Sequence, residues 1–176
     1  MIIIYVVLAV LILYVIGFYN QLKTILVQIG ASTQEIGNQL KRQADLIPNL
    51  VESAKGYLKH EKEIFTQLTD ARKAISANKI EKSQELISKA LGALQVIVES
   101  NPELKASGIV TDLMAELRDT ADKLMYARRT MIDLSANFNA KIVTFPNSIL
   151  ASIFNFQPQK GLEITKEEAT NPIVKL

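Results

Sequence analysis

The chain has 176 residues, with 20 Lys and Arg against 18 Asp and Glu and a formal net charge of +2. So even a balance argues against nucleic acid as a partner, which usually requires a basic face or cluster. The absence of cysteine excludes disulfides, thiol catalysis and cysteine metal sites.

The first nineteen residues read MIIIYVVLAVLILYVIGFY, and from Ile2 to Tyr19 there is no charge, proline or amide. At about 1.5 Å per residue this run makes about 27 Å of helix, close to the hydrocarbon thickness of a bilayer. Buried core helices of soluble proteins seldom run so long without a polar position. A cleaved signal peptide wants a basic start, a shorter apolar core and a small-x-small cleavage site. No Lys or Arg precedes this run, and Gly17-Phe18-Tyr19-Asn20 offers no such site. The expectation is a permanent single-pass anchor with the lipid bilayer as partner, and with Tyr14, Phe18 and Tyr19 as interfacial aromatics. Lys23, then Lys41 and Arg42, lie on its C-terminal side and no Lys or Arg on the other. The positive-inside rule then places the N-terminus outside and the remaining domain in the cytoplasm.

The helical period takes over at once. From Asn20 to Ala44, Ile25, Ile29, Thr33, Ile36, Leu40 and Ala44 fall three or four apart, so the anchor helix is expected to continue with one buried stripe. Gly30 and Gly37 share a face of it, which either a close helix approach or simple tolerance explains. In Lys41-Arg42-Gln43-Ala44-Asp45-Leu46-Ile47-Pro48, basic residues suit a helix end, Asp45 a new cap and Pro48 a first turn. A turn is expected here; a single kinked helix is the alternative, because the apolar phase carries through Pro48.

A second helix to about Ala77 has Leu50, Val51, Ala54, Leu58, Phe65, Leu68 and Ile75 on one side. After a polar connection at 77–82, a third helix spans about Ser83 to Ser100, and Asn101-Pro102 ends it. A fourth, from about Gly108 to Thr144, carries Val110, Leu113, Leu117, Leu124, Met131, Leu134 and Phe138 near a heptad rhythm, as in coiled coils, and Phe145-Pro146-Asn147 stops it. The pattern predicts an all-α chain: a transmembrane helix continuing into an antiparallel four-helix bundle with long helices. The expected divisions are an anchor at 1–19, the bundle at 20–145, and an apolar segment and irregular tail at 146–176.

Several stretches carry a family resemblance: QLKRQADLIPNLVESAKGYLKHE (39–61), DARKA (70–74), ALGALQVIVESNPELKA (90–106), LMAELRDTADKLMYARR (113–129) and FPNSILASIFNF (145–156). With Tyr19-Asn20-Gln21-Leu22 and the closing Pro172-Ile173-Val174-Lys175-Leu176, they resemble the LemA family over nearly the whole chain. Asp45, Pro48, Asn49, His60, Glu61, Arg72, Arg128, Phe145 and Pro146 are the motif positions. The chain departs from the family at Met131-Ile132, Phe138 and Asn101, so no role is carried over to those positions. The resemblance implies a membrane-anchored, mostly antiparallel four-helix bundle in a bacterial envelope; it does not imply an enzymatic activity.

The catalytic chemistry is sparse. His60 is the only histidine, and the second imidazole of a His-Glu-x-x-His zinc site would have to stand where Ile64 does. A di-metal bundle needs two Glu-x-x-His pairs and cannot be built either. His60 and Glu61 are expected in a hydrogen-bonded helix-surface or interhelix contact. Arg72 and Arg128 are expected to snorkel at the bundle surface, with ion pairs to Glu52, Glu116 or Asp119 as the alternative. No catalytic, cofactor or metal site, and no small-molecule substrate, is expected.

The remaining chemistry is apolar. Between Lys141 and Lys160 the chain has no charge, and it reads IVTFPNSILASIFNF from Ile142 to Phe156. This stretch is either a cap over the bundle core or a segment touching lipid or a neighbouring subunit. A fourth helix of about 55 Å can return past the roughly 38 Å of the first helix beyond the anchor. In the four-helix reading it brings Ile149, Leu150, Ile153, Phe154 and Phe156 near the lipid; in the kinked-helix reading they lie at the distal tip. The expected function is that of a non-catalytic scaffold, self-assembling or binding other membrane proteins. A membrane-shaping role through oligomerisation is the alternative, and an unrecognised hydrolase or metal protein a distant third.

Overall fold

The structure, a computed structural model, describes residues 1–58 and 61–161. Helix α1 runs from Ile2 to Ser53, and a 3-10 turn follows at Lys55–Tyr57. Then come α2 (Glu61–Ser76), α3 (Ile80–Ser100), the short α4 (Pro102–Ala106), α5 (Gly108–Val143) and α6 (Asn147–Ile153). No strand occurs among the described residues, so the chain is all-α.

The described residues divide into two compact units, 1–33 with 128–161 and 34–127. Helices α1 and α5 each supply a part to both. In the first unit, Phe18, Leu22, Ile25 and Ile29 of α1 are buried with Phe138 and Ile142 of α5 and Ala151 of α6. Spacings of four, three and four put the α1 residues on one helical face. Here α1 and α5 run antiparallel: the Thr33 hydroxyl meets Met131, and Tyr14, further back, meets Asn147 just beyond α5.

The second unit buries the same kind of stripe from four helical segments: Ile36, Leu40, Ala44 and Ile47 of α1; Ile64, Leu68 and Ala71 of α2; Ile87 and Leu94 of α3; Val110, Leu117 and Leu124 of α5. Ser83 and Thr120 are buried among them. Each satisfies its hydroxyl inside its own helix, Ser83 donating to the Ile80 carbonyl at 2.7 Å and Thr120 to the Leu117 carbonyl at 2.7 Å.

The turn expected at 45–48 is absent, and α1 continues through Pro48 for another five residues. Proline has no amide proton, so the carbonyl four residues back, on Ala44, loses its helical donor. Arg72 of α2 supplies the replacement: one guanidinium nitrogen donates to the Ala44 carbonyl at 3.0 Å and to Asp45 Oδ1 at 3.1 Å. The helix survives its proline because a neighbouring helix completes it. The chain leaves α1 only after Ser53, and α2 begins at Glu61. The reversal falls later than the sequence pattern suggested, while the number of long helices is unchanged.

The 77–82 connection is shorter than expected, because α3 already begins at Ile80. Asn78 adopts φ 54°, and the Lys79 and Asn78 amides bond back to the carbonyls of Ala74 at 2.8 Å and Ile75 at 3.0 Å. This is the paired closure of a left-handed helix end, which asparagine tolerates better than most residues. At the other end of α3, Asn101 is extended before Pro102, as expected.

Gly30 and Gly37 of α1 are not sites of close approach. A Cβ at Gly30 would meet nothing within 4 Å, and at Gly37 only Ile80 Cδ1 at 4.0 Å. Gly30→Ala is therefore expected to raise stability by about 1 kcal/mol through helix propensity. Denaturant titration in detergent checks it, and a loss of stability would reveal a neighbour that needs the missing side chain.

Candidate functional site: an aromatic collar beside the apolar helix

Along α1 the environment changes at one place. Its most apolar 18-residue stretch has a mean hydropathy of 2.8 and is only 6% buried. From Phe18 onward the same helix buries or half-buries a residue at every third or fourth position. Among the described residues one helix is thus long and apolar enough to cross a membrane, and it passes from an exposed apolar rod to a packed helix within about one turn.

The C-terminal apolar segment comes to this boundary. Phe145 and Pro146, joined by a cis peptide, lead into α6, and the Tyr14 hydroxyl donates to Asn147 Oδ1 at 2.6 Å. Helix α6 ends as α2 does: Asn155 adopts φ 54°, and the Phe156 and Asn155 amides bond to the carbonyls of Ala151 at 2.9 Å and Ser152 at 3.2 Å. That reversal seats Phe156 against Phe138, ring centroids 6.0 Å apart and edge-on, and against Tyr19 at 5.8 Å. Phe154 packs on Tyr19 from 5.0 Å. Lys23 Nζ completes the collar, 5.5 Å from the Tyr19 ring and 5.6 Å from the Phe156 ring. The strand of chain beyond is tied down twice by Asn139, which exchanges 2.8 Å hydrogen bonds with the Gln159 backbone.

Of the residues expected to contact lipid or a partner, the structure brings Tyr19, Phe154 and Phe156 together, while Tyr14 meets Asn147. Ile149 and Ile153 project outward, and Leu150 is half-buried against the core. Phe18 is corrected: at 5% exposure it belongs to the core, because it begins the 18-22-25-29 stripe. The sequence reading overlooked Lys23 and Phe138 as members of this cluster. The signal was there for Lys23, the only charge near the anchor.

The remaining motif residues are dispersed. Arg72 does not snorkel freely but completes α1 at Ala44 and pairs with Asp45. The missing amide of Pro48 could have pointed to that need. Glu116 and Asp119 face Arg42, at 2.7 and 4.0 Å, and the hydrogen bond from Arg42 to Glu116 raises the pKa of the guanidinium further. Glu52 pairs with Lys55 within its own turn region. Asn49 is exposed, and its carbonyl accepts the Ser53 hydroxyl at 2.9 Å. Glu61 opens α2, where a carboxylate complements the helix end, and Arg128 is half-buried on α5. His60 lies outside the described residues, as does the closing 172–176 stretch.

A cleft of about 490 Å³ in the second unit is lined by Tyr57, Leu58, Ile64, Gln67, Ile97 and Asn101 among others. Tyr57 donates its hydroxyl to Glu103, which raises the phenol's pKa by stabilising the protonated form. Among the described residues no three His, Cys, Asp or Glu converge as a metal site.

Comparison with known proteins adds one consistent finding. The LemA family model matches residues 32–176. The chain is also similar to Protein LemA of Metamycoplasma hominis, 27% identical over 116 residues, which cover 63% of this chain and 53% of that protein. The match thus spans about half the length of that relative.

Proposed function

Because the chain belongs to the LemA family, we propose that it is a non-catalytic, single-pass membrane-anchored bundle of a bacterial envelope that works by contact. The observation that carries this reading is the change of environment along α1, from apolar and exposed before Phe18 to apolar and buried after it. An exposed apolar rod of this length is costly in water and favourable in lipid. Lys23, Lys41 and Arg42 on one side of the rod favour the body in the cytoplasm and the N-terminus outside.

The helical body then acts as a scaffold that binds copies of itself or other membrane proteins through its outer faces. Crosslinking in native membranes, followed by mass photometry in mild detergent, tests the self-assembling form. A discrete assembly of several copies is expected. A single copy at every concentration, with no crosslinked membrane-protein neighbour, contradicts the scaffold role. A second reading, that many copies organise the bilayer, draws on the outward apolar residues around α6.

A further inference from the structure

We propose that the charge-free segment from Ile142 to Phe156 is a second membrane-embedded element, a short hairpin of the α5 end and α6 that enters one leaflet beside the anchor. Its partner is the lipid bilayer, and the inference rests on the anchor reading proposed above.

The anchor itself supplies the depth scale. Lys23 Nζ lies over the rings of Tyr19 and Phe156, which marks a plane where an ammonium and aromatic rings meet, as at a headgroup boundary. Tyr14 is five residues closer to the N-terminus, about 7.5 Å along the helix. Side chains lean toward the helix N-terminus, so its hydroxyl reaches no higher than that. Asn147, bonded to this hydroxyl at 2.6 Å, therefore sits about 7 Å or more on the hydrocarbon side of the lysine plane, roughly halfway into a leaflet.

The chemistry of the segment matches that depth. No charge interrupts it between Lys141 and Lys160. Phe145 is 82% exposed, and Val143, Ile149 and Ile153 also turn their side chains outward. In water these residues would form an apolar patch; beside an apolar rod they continue its surface. A soluble partner could not reach this patch without displacing the lipid around the anchor. Polar groups in hydrocarbon must be satisfied within the protein. At the hairpin tip the Tyr14 hydroxyl donates to Asn147 Oδ1, the Thr144 hydroxyl returns to the Lys141 carbonyl at 3.3 Å, and the Ser148 amide bonds the Thr144 carbonyl at 2.8 Å.

The chain has no natural cysteine, so single cysteines can be placed in the full-length protein at Leu8, Phe145, Ile149 and Gln28. The four variants are reconstituted in phosphatidylethanolamine–phosphatidylglycerol vesicles, treated with a membrane-impermeant maleimide, and separately labelled with an environment-sensitive fluorophore in vesicles carrying spin-labelled lipid. Positions 145 and 149 are expected to react at least about tenfold more slowly than position 28, as position 8 does, because water is excluded there. Their fluorophores are expected to be quenched by the lipid spin label. Fast reaction at 145 and 149 with position 8 protected overturns the hairpin and leaves the anchor standing. Fast reaction at position 8 overturns both. Protection at 145 and 149 without lipid quenching means that a second copy covers them, which also overturns the proposal.

Discussion

Phe138→Ala is expected to destabilise the first unit by about 3–5 kcal/mol, the usual cost of removing a large aromatic from a closed core. Phe138 is fully buried and meets Phe156 edge-on at 6.0 Å. Its loss would remove the floor on which the aromatic collar stands, while Leu22, Ile25 and Ile142 could close only part of the cavity. Denaturant unfolding in detergent micelles, with amide exchange read along residues 128–142, measures the effect. Phe145→Ala is the control: that ring is exposed in the protein, so its loss is expected to leave unfolding in detergent within about 0.5 kcal/mol of the parent. Equal losses at the two positions would contradict the placement of Phe138 in the core.

Arg72→Ala is expected to cost about 1–3 kcal/mol, because it orphans the Ala44 carbonyl that Pro48 has already deprived of its helical donor. The ion pair to Asp45, with both side chains about half exposed, adds little of its own. The distinguishing measurement is a double-mutant cycle. Pro48→Ala restores an amide within reach of the same carbonyl, so Arg72→Ala in that background is expected to cost about 1 kcal/mol less than in the parent. Arg72→Lys is expected to recover only part of the loss, since the ammonium is more strongly hydrated than a guanidinium and sits on a shorter stem. An unchanged cost of Arg72→Ala in the two backgrounds would mean that the arginine serves the helix by some other route.

This pair also shows where sequence reading stops. The limits of α5 were legible because a heptad stripe runs unbroken between Gly108 and the Phe145-Pro146-Asn147 stop. The end of α1 was not, although Pro48 is a strong local signal. A local rule was overridden by a donor from another helix, and nothing near Pro48 announces that donor. Phe18 failed for a related reason. Aromatics at the end of an apolar run look interfacial, and only the partners on α5 and α6 decide which of them turns inward. The return of the C-terminal segment to the α1 end was expected from helix lengths only within the four-helix reading, and the hydrogen bond from Tyr14 to Asn147 and the reversal at Asn155 were not legible at all. Helix α6 itself is too short for its period to show.

The account rests on the exposed rod before Phe18 being held in lipid. Leu8 and Ile12 lie on that rod and turn outward, so arginines there disturb the membrane-spanning part without entering the buried core of either unit. Each is expected to cost about 2.5–3.5 kcal/mol of insertion free energy. Alkaline extraction of membranes from cells expressing the parent and the Leu8→Arg/Ile12→Arg double variant gives the most direct reading. The parent is expected to stay in the pellet with Met1 still attached, and the variant to move to the supernatant. A parent chain released by alkali, or recovered soluble with its N-terminus beyond Tyr19, would contradict the account.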